Sequence, residues 1–474
     1  MPVTLPDAFI HQMRQLLPHD MEAFLQSYNA SRTFGLRINP LKPAAGQPLL
    51  AEAVRQFRLE PVPWCGTGYY YEEASRPGKH PYHMAGLYYI QEPSAMTAAE
   101  LLDPQPGELI LDLAAAPGGK TTQIAGKMAG QGVLIANEIH PARAKILSEN
   151  VERCGIANAI VTSAAPDELS RRFPGLFDRI MLDAPCSGEG MFRKDETAIS
   201  EWSVAHVAMC AARQADILDH AAILLKPGGR LVYSTCTFNR LENEETIAAF
   251  CSKYPAFSVM RLERIWPHIE RGEGHFVAVL QKAGTSSPAF AGDAGDSPSA
   301  AEQHPGKSKR ERRRNHTAAG TSGLEADMAL MRAFAETALP GGWTLGPGEP
   351  LRFGDALYWL PHPASGSTSP IGAGDLNGLK VPRPGLHLGD VRKNRLEPAH
   401  ALAMAVPAGA AAWMQSYRPE APEIAAFLRG ETLPAQEGST GWGLIAVDGL
   451  SLGWGKASGG QIKNHLPKGL RRFT

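Results

Sequence analysis

One pattern constrains the fold of this chain more than any other: between about Gly107 and Lys282, short apolar segments alternate with helical ones. Alternation at this spacing predicts a parallel sheet covered by helices on both faces. The last two extended segments have no helix between them, which predicts a hairpin at one edge. The predicted strands are 108–113, 133–137, 159–162, 177–183, 230–234, 257–262 and 275–281. Four helices are predicted between these strands: one that begins near residue 121, and others at 141–154, 206–225 and 242–253. The third helix ends at the Lys-Pro-Gly-Gly segment 226–229.

Length and composition exclude several classes of protein. A chain of 474 residues suggests about three folding units, and 43% hydrophobic with 20% charged residues excludes a wholly disordered chain. No apolar run approaches the ~18 to 20 residues of a membrane span, and Asp7, His11 and Arg14 interrupt any secretory signal. Six scattered cysteines indicate thiols in a reducing cytoplasm, so we expect a cytoplasmic protein. The net charge of -1 neither favours nor excludes nucleic acid as a partner.

Composition also divides the chain into predicted domains. Residues 283–324 are rich in Ala, Gly, Ser, Pro and Thr, and they cannot bury enough apolar surface to offset their ordering entropy. We predict a flexible linker there, with a basic run from Lys307 to Arg314 that either contacts RNA or is simply solvated. The other predicted domains are an N-terminal one at 1–85, the α/β domain at 86–282, an intermediate one at 325–408 and a small one at 409–474. Further helices are predicted at 7–17, 20–28 and 326–339, and strands near 37 and 69 and at 356–360 and 443–447.

A glycine-rich turn follows the first predicted strand of the α/β domain. It is formed by Ala114, Ala115, Ala116, Pro117, Gly118, Gly119 and Lys120. A phosphate-binding P-loop would need Gly at position 114, and a G-x-G-x-x-G dinucleotide motif is absent. An S-adenosylmethionine site predicts an acidic residue at the end of the second strand to bind ribose hydroxyls, and Glu138 stands there. An ordinary turn with a solvent-facing Glu138 remains the alternative.

Two cysteines follow neighbouring strands of the predicted sheet. Cys186 comes shortly after the fourth strand, in Asp183-Ala184-Pro185-Cys186, and Cys236 comes directly after the fifth. A lone cysteine usually acts as a small buried hydrophobic residue. Two cysteines at the ends of adjacent strands, beside a loop that could bind a ligand, favour a catalytic role instead. No Cys-x-x-Cys pair is present, so we expect no metal site.

The residue types at these strand ends suit one reaction. Carbon 5 of a pyrimidine is a poor nucleophile until a thiolate adds at carbon 6 and forms a transient enamine. The adduct must then lose the carbon-5 proton and expel the enzyme, which requires an acid/base group and can use a second thiol. Asp183, Cys186 and Cys236 bring those types together. The target base must leave its stack to reach such a site.

On these motifs the sequence resembles the Nol/Nop/Sun family of RNA cytosine-5 methyltransferases, and its bacterial ribosomal RNA branch (RsmF-type) most closely. The motifs cover nearly the whole chain except the linker. They are Tyr89-Ile90-Gln91-Glu92-Pro93-Ser94-Ala95-Met96, the turn at 115–121, the Pro-Cys-Ser-Gly-Glu-Gly core within 183–191, Ser234-Thr235-Cys236-Thr237, Gly272-Glu273-Gly274-His275-Phe276, Arg37-Ile38-Asn39-Pro40 and the C-terminal stretches 452–456 and 462–471.

The resemblance implies a fold and a set of roles. The implied fold is an α/β, Rossmann-like class I methyltransferase with a mostly parallel seven-stranded sheet, a small N-terminal α+β domain and C-terminal α+β and PUA-like domains. Cys236 would attack carbon 6, Cys186 would assist release of the methylated RNA, and Asp183 would contact the cytosine. The turn at 114–120, Glu138 and Asp183 would bind S-adenosylmethionine. The division of roles between the two cysteines is implied by the resemblance alone.

One position departs from the family pattern. The family has an acidic residue after the third strand, near the adenine amine, and that position falls at Ala165. Asp167, the Ser163 hydroxyl or a backbone carbonyl could take its place, and the sequence leaves these alternatives open.

Basic residues near the C-terminus are candidates for RNA binding. Cations interleaved with aromatic residues suit phosphate contact and base stacking, although a solvated basic terminus would look the same. One cluster holds Lys456, Lys463, Lys468, Arg471 and Arg472, and a second holds Lys380, Arg383, Arg392, Lys393 and Arg395. We predict that both clusters face one groove, with Arg193 and Lys194 at the catalytic mouth.

The sequence therefore predicts an enzyme that methylates carbon 5 of cytosine in ribosomal RNA of the small subunit, or in its assembly intermediate, and that acts as a monomer. Transfer RNA is the alternative substrate within the same chemistry. A nucleotide-dependent ATPase using the Gly-Gly-Lys-Thr turn, and an RNA-binding assembly factor without catalysis, are the alternatives of other classes.

Overall fold

The computed structural model describes residues 4–42, 47–284, 321–363 and 371–472. Residues 285–320, which make up most of the predicted linker with its basic run, lie outside the described residues. None of the helices within the described ranges combines the length and the hydropathy that a membrane crossing requires.

The N-terminal part is a small α+β unit. Its short strands form an antiparallel sheet in the order β2-β3-β1-β4. Strand β4 lies beyond residue 85, the predicted boundary, yet it pairs with β1, so this sheet extends into the next predicted domain. The elements are α1 Asp7–Leu16, α2 Met21–Ser27, β1 Gly35–Ile38, α3 Gln47–Phe57, β2 Glu60–Pro61, β3 Gly68–Tyr70, α4 Pro81–Met84 and β4 Tyr88–Ile90.

The central part is the predicted α/β domain with a seven-stranded sheet. Its elements are α5 Thr97–Leu102, β5 Leu109–Asp112, α6 Gly119–Lys127, β6 Val133–Asn137, α7 Pro141–Arg153, β7 Ala159–Thr162, α8 Pro166–Arg172, β8 Phe177–Asp183, α9 Glu196–Glu201, α10 Val204–Leu224, β9 Leu225–Thr235, α11 Glu244–Lys253, β10 Phe257–Ile265 and β11 His275–Lys282. The strand order is β10-β11-β9-β8-β5-β6-β7. Strands β7, β6, β5, β8 and β9 are parallel, and β10 and β11 form the predicted antiparallel hairpin at one edge.

Both faces of the parallel part of this sheet are buried, which explains why strands such as β5, β6 and β7 read as continuous apolar runs, whereas the edge strand β10 is mostly exposed. Along β5, Leu109 and Leu111 face one hydrophobic cluster and Ile110 faces the other. The predicted break at 226–229 lies inside β9. Leu225 pairs with Phe177 of β8, but the register then shifts and pairing resumes at Arg230, opposite Arg179, where the strand was predicted to begin. Helix α8 was not predicted because it is short and lacks a clear apolar period.

Two β-rich units follow the linker. The intermediate unit has an antiparallel sheet in the order β12-β13-β14-β15, and the last unit has a five-stranded sheet in the order β16-β18-β19-β20-β17. Their elements are α12 Thr321–Ala338, β12 Gly348–Phe353, β13 Ala356–Pro361, β14 Leu386–Arg392, β15 Arg395–Pro398, α13 His400–Ala405, β16 Met414–Tyr417, α14 Pro422–Arg429, β17 Leu433–Pro434, β18 Gly441–Val447, β19 Leu450–Ser458 and β20 Gln461–Asn464. The last unit shares a hydrophobic cluster with the N-terminal unit, including Phe57 and Phe427.

The intermediate unit also completes the free edge of the central sheet. Beyond β7, the Val161 N–H donates to the Arg383 carbonyl (2.7 Å), and the Ser163 N–H donates to the Lys380 carbonyl (2.8 Å). The Arg383 guanidinium is buried against Glu152 of α7, which is also bonded to Nδ1 of His400. These contacts lock the C-terminal half of the chain onto the outermost strand of the central sheet.

Candidate active site

The two predicted cysteines meet at the carboxyl edge of the sheet. Strands β8 and β9 run parallel with Asp183 opposite Ser234, so the loops that follow them leave the sheet side by side. The Sγ atoms of Cys186 and Cys236 lie 3.4 Å apart, and both side chains are half-buried. The pKa of the Cys186 thiol is raised well above its usual range, first by its hydrogen bond with Cys236 and then by burial. Cys186 therefore holds its proton at neutral pH and can donate it to the Cys236 sulfur.

A buried carboxylate on each cysteine loop binds the other loop, a feature that the sequence reasoning missed. Glu189 lies three residues after Cys186. Its carboxylate accepts hydrogen bonds from the backbone N–H groups of Phe238 (2.7 Å) and Asn239 (2.9 Å), which follow Cys236. Glu242, beyond Cys236, accepts from the Ser187 N–H at 2.9 Å and also binds the Ser187 hydroxyl. Both glutamates are fully buried, so they act as a reciprocal clamp that fixes the separation of the two thiols.

Close backbone packing adds to this clamp at Gly190. Its N–H donates to the Cys236 carbonyl at 2.8 Å, and a Cβ at this position would lie 3.0 Å from that same oxygen. Only glycine lets the two loops approach so closely. The sequence holds one indication of this clamp: Glu189 stands between glycines close to Cys186, a candidate nucleophile. Its partners could not be predicted, because they lie about 50 residues away in the sequence.

Asp183 is held between a lysine, a serine and a histidine. Its Oδ2 lies 2.7 Å from Lys120 Nζ, and its Oδ1 accepts from the Ser234 hydroxyl at 2.8 Å. Burial raises the pKa of Asp183, but Lys120, His275 and the Ser234 hydrogen bond outweigh it, so the net pKa is lowered. The carboxylate is therefore charged at neutral pH, and it is part of the same strand end that carries Cys186.

His275 is a second polar residue of this site that the sequence analysis assigned no role. It opens β11, is 4% exposed, and places Nε2 4.0 Å from Asp183 Oδ1. Burial and the nearby Lys120 lower its pKa to about 4, although Asp183 opposes this, so the ring is neutral at pH 7. The charge of Lys194 also lowers the pKa values of His275 and Glu92.

The glycine-rich turn has a backbone suited to a ligand. Gly118 precedes α6 with φ +113°, a conformation that favours glycine, and the first N–H groups of α6 follow it. Asn150 and Arg143 of α7 donate to the carbonyls of Pro117 (2.9 Å) and Ala116 (2.8 Å), which fixes the turn from outside. Beneath it, burial raises the pKa of Asp112 to about 7, although the Thr121 hydroxyl, bonded at 2.6 Å, opposes this.

An arginine from the N-terminal unit also supports this turn. Arg37 of β1 is buried, and its Nη2 donates to the Gly119 carbonyl (2.6 Å) and to the Thr122 hydroxyl (2.8 Å). Its Nε donates to Gln91, which lies between the N-terminal sheet and α5. Sequence reasoning noted the Arg37 motif as a family feature but gave it no role, because nothing local indicates a partner in α6.

The acidic residue expected at the end of β6 lies next to the turn. Glu138 is 3% exposed; its Oε1 accepts from the His140 N–H at 3.0 Å, and its Oε2 lies 3.5 Å from Arg143. A solvent-facing Glu138 is therefore excluded. After β7, Ala165 directly precedes α8 as its N-cap residue, and Asp167, in the first turn of that helix, forms an exposed ion pair with Arg171. The Ser163 hydroxyl donates to the Ile139 carbonyl at 3.4 Å, so it lies at the carboxyl edge of the sheet. Of Ser163 and Asp167, the two side chains considered as partners of the adenine amine, only Ser163 lies at that edge.

Several predicted RNA contacts need correction. Arg193 forms a buried ion pair with Glu273 (2.6 Å) and donates to the Ser27 and Gly272 carbonyls, so its guanidinium is not available to RNA. Arg383 is likewise buried, against Glu152. Arg471 packs over Gly430 and donates from Nε to the Leu466 carbonyl, which gives it a structural role. The sequence shows which residues are charged, but it does not show that Arg193 and Arg383 form buried ion pairs with residues distant in the sequence.

Most of the other predicted cations are exposed, but Lys194 and Arg472 are half-buried, and Arg472 donates to the Lys79 carbonyl. Lys463 and Lys468 are exposed, and Lys463 lines a cleft together with Arg392, Lys393, Arg395 and Lys456. The two predicted basic clusters thus share one groove in part. Among the described residues, no group of three or more His, Cys, Asp or Glu side chains is arranged to hold a metal ion.

The mixed seven-stranded sheet, with a glycine-rich turn after β5 and a buried acidic residue after β6, defines the class I methyltransferase architecture. Ribosomal RNA small subunit methyltransferase F of Shewanella amazonensis is 31% identical over 494 residues and covers 99% of both chains. The protein of the same name from Aeromonas salmonicida is 32% identical and covers 99% of this chain and 97% of its own. The chain therefore belongs to the RsmB/F family of 16S rRNA methyltransferases, in its RsmF-type branch, which confirms the predicted family.

Profiles of this family match most of the chain outside the linker. They are described as 16S rRNA methyltransferase RsmB/F (residues 99–281), the N-terminal domain of RsmF (5–93), the first C-terminal domain of RsmF (333–406) and the RsmF PUA domain (415–472). The methyltransferase F of Enterobacter sp. (strain 638) is 40% identical over 312 residues, a match that spans 60% of this chain and only 65% of that protein.

Solved structures show the same fold. A methyltransferase homolog protein from Pyrococcus horikoshii is 27% identical, with a TM-score of 0.53 over 59% of this chain and 96% of its own. NSun6 from the same organism, solved with SFG, is 20% identical, with a TM-score of 0.54 over 60% of this chain and 100% of its own. The predicted fold class is confirmed.

Proposed function

We propose that this chain methylates carbon 5 of cytosine in 16S ribosomal RNA, with S-adenosylmethionine as the methyl donor. The observation that carries the proposal is the pair of thiols at 3.4 Å, set beside a charged Asp183. A methyltransferase acting on an amine or a hydroxyl needs no nucleophile of its own, whereas carbon 5 requires a thiolate at carbon 6. Membership of the RsmB/F family supports the 16S RNA as substrate.

The turn and its neighbours fit S-adenosylmethionine. A Cβ at Gly118 would come within 3.2 Å of Leu147 and would be strained at φ +113°, so a side chain there would displace the turn from α7. The backbone at 114–120 would hold the methionine part, and the carboxylate of Glu138 would accept from the two ribose hydroxyls. When bound, S-adenosylmethionine supplies an electrophilic methyl group.

The chain's own groups account for the rest of the reaction. The Cys236 thiolate adds to carbon 6 of the cytosine, and the electron pair of the 5,6 double bond moves to carbon 5, which becomes the nucleophile. Asp183, fixed by Lys120 and Ser234, orients the ring. After methylation the charged Asp183 carboxylate accepts the carbon-5 proton, the electron pair of that C–H bond re-forms the 5,6 double bond, and the bond from carbon 6 to the Cys236 sulfur breaks. Cys186, which keeps its proton, can transfer it to the departing sulfur.

Two further assignments complete the proposal. We propose the division of the chain into an N-terminal domain, the catalytic domain, the linker at 283–324, an intermediate domain at 325–408 and a PUA-like domain at 409–474, with the first boundary moved past β4 to about residue 93, supported by the pairing of β4 with β1. We also propose that the protein acts in the cytoplasm, supported by its six free cysteines.

The direct test is methyl transfer from radiolabelled S-adenosylmethionine. We expect label in small-subunit ribosomal RNA, offered as naked RNA and as assembled subunit, and recovery of that label as 5-methylcytidine after digestion to nucleosides. Label in transfer RNA alone would mean that transfer RNA, not ribosomal RNA, is the substrate. Label in any nucleoside other than 5-methylcytidine would contradict the proposed chemistry.

A second prediction concerns Arg37 and the cofactor. Arg37→Met removes the donors to Gly119 and Thr122 but keeps much of the buried volume, so the start of α6 loses its anchor. We expect the Kd for S-adenosylmethionine to rise by about tenfold, equivalent to about 1.4 kcal/mol, in calorimetric titration. Arg55→Met, at an exposed position of the same unit, is the matched control. An unchanged Kd in a folded Arg37→Met protein would show that the turn does not depend on this arginine.

A further inference from the structure

The two thiols of the active site are in contact, although the proposed reaction uses them at different stages. Cys236 acts when the cytosine is attacked and Cys186 acts when the product is released, yet their Sγ atoms lie 3.4 Å apart. Two thiols can join in a disulfide only where their side chains approach each other closely. Within the described ranges, which include all six cysteines, no other two cysteines are in contact.

The loops that carry these thiols are held together by buried hydrogen bonds. Glu189 and Glu242 each bind the backbone of the opposite loop, and the Gly190 N–H donates to the Cys236 carbonyl at 2.8 Å. The loops cannot separate without breaking these bonds, so each thiol stays beside the other. A reaction between two groups held in this way is intramolecular, and such a reaction is far faster than the same step between separate molecules.

A small oxidant can reach this pair of thiols. Cys186 and Cys236 are half-buried, whereas Cys65, Cys154 and Cys210 are buried. An opening that admits a cytosine base also admits hydrogen peroxide, which is far smaller. The proposed reaction requires Cys236 as a thiolate, and the thiolate is the form of cysteine that a peroxide oxidises.

From this arrangement we propose that Cys236 and Cys186 form a site of reversible oxidation, at which a peroxide converts the two thiols into a disulfide and so stops methyl transfer. The disulfide follows from the contact between the thiols, whereas its effect on methylation also rests on the proposed function. A sulfenic acid with no thiol beside it is oxidised further to sulfinic acid, which ordinary thiols do not reduce. The contact with Cys186 therefore preserves the nucleophile for later use while it is inactive.

Two steps account for the atoms and electrons. The Cys236 thiolate attacks one oxygen of hydrogen peroxide, the O–O bond breaks and hydroxide leaves, so the sulfur becomes a sulfenic acid. The Cys186 sulfur then attacks the Cys236 sulfur: the S–S bond forms, the S–O bond breaks, and the departing hydroxide takes the Cys186 proton and leaves as water. The sulfurs together lose two electrons, which the peroxide gains. A small thiol such as glutathione reverses the change by thiol–disulfide exchange.

The test is brief exposure of the full-length protein to hydrogen peroxide, followed by peptide mapping without reduction. We expect a linked peptide that joins Cys186 to Cys236, and a fall in free thiols from six to four because two are consumed. Methylation of small-subunit ribosomal RNA should fall by roughly 100-fold in the oxidised protein and return to within about twofold of its initial rate after dithiothreitol. Cys251→Ala, which changes the other half-buried cysteine, is the control and should form the same linked peptide.

The two single variants test the order of the steps, and both are read by mass rather than by activity. In Cys186→Ala, peroxide should convert Cys236 to sulfinic acid, seen as a gain of two oxygen atoms that dithiothreitol does not remove. In Cys236→Ala, Cys186 should remain a thiol, because even without its hydrogen bond to Cys236 burial keeps the pKa of this thiol raised.

Three outcomes in the wild type would overturn the proposal: sulfinic acid at Cys236 without a linked peptide, retention of all six free thiols, or a linked peptide with unchanged methylation. A failure of the proposed function gives a different result. If the reduced protein methylates no RNA but the linked peptide still forms and dithiothreitol still removes it, the proposed function fails and the oxidation site stands.

Discussion

Replacing Cys236 by Ala is expected to abolish methylation, by ~10⁴-fold or more, because carbon 5 of the cytosine is then never activated. Replacing Cys186 by Ala is expected to have a different consequence. The Cys236 nucleophile remains, but the thiol that lies 3.4 Å away and holds its proton is lost, so the covalent complex forms and is not released. Incubation of the Cys186→Ala protein with small-subunit ribosomal RNA and S-adenosylmethionine should therefore give a protein–RNA adduct on a denaturing gel.

The double variant Cys186→Ala/Cys236→Ala should form no adduct, and Cys251→Ala, which changes a half-buried cysteine on α11, should behave as the wild type. An adduct in Cys236→Ala but not in Cys186→Ala would mean that the roles of the two thiols are reversed. If neither variant forms an adduct while the wild type still methylates the RNA, the acceptor is an atom other than carbon 5.

The second large effect is expected at Glu242, which no part of the chemistry uses directly. Its carboxylate accepts from four donors: the Ser187 backbone and hydroxyl, Asn239 Nδ2 and Gln214 Nε2. Glu242→Gln has nearly the same shape but turns one acceptor oxygen into a donor, so at least one buried donor loses its partner. The free energy of unfolding should fall by about 2 to 4 kcal/mol, at ~1 to 3 kcal/mol for each unsatisfied group.

The same change should slow methylation by roughly 100-fold, because the loops that carry the two thiols lose their shared anchor and small displacements of reacting groups are costly. Urea denaturation and single-turnover methylation measure the two effects separately. Glu245→Gln, at an exposed position in the first turn of α11, should change stability by no more than about 0.5 kcal/mol. A folded Glu242→Gln protein that methylates at the wild-type rate would show that the clamp does not position the thiols.

The sequence predicted the features that follow from the order of strands, but not the side-chain pairs between elements that are distant in the sequence. Cys186, Cys236 and Glu138 were predictable because residues that follow parallel strands meet at one edge of the sheet, whatever separates them in sequence. Glu189, Glu242 and Arg37 were missed because their partners lie on other elements, and no local pattern encodes that pairing. Arg193 was assigned to RNA for the same reason: its sequence neighbours do not reveal Glu273.

Local signals were sufficient where the structural requirement is itself local. The Lys-Pro-Gly-Gly segment has the composition of a turn, and it interrupts the pairing of β9 with β8 between Leu225 and Arg230. The glycine-rich turn after β5 was predictable as a turn because its conformational requirement is local: Gly118 needs positive φ, and the sequence supplies glycine.

The pairing of β7 with the segment at 380–383 has a consequence for how this protein is made. A chain emerges from the ribosome N-terminus first, so the central sheet is synthesised long before its edge partner. Until residue 383 has been made, Val161 and Ser163 present unpaired N–H groups on an apolar strand, a template for strands of other nascent chains. The interval between synthesis of β7 and of its partner is thus the period in which this protein is most exposed to misassembly.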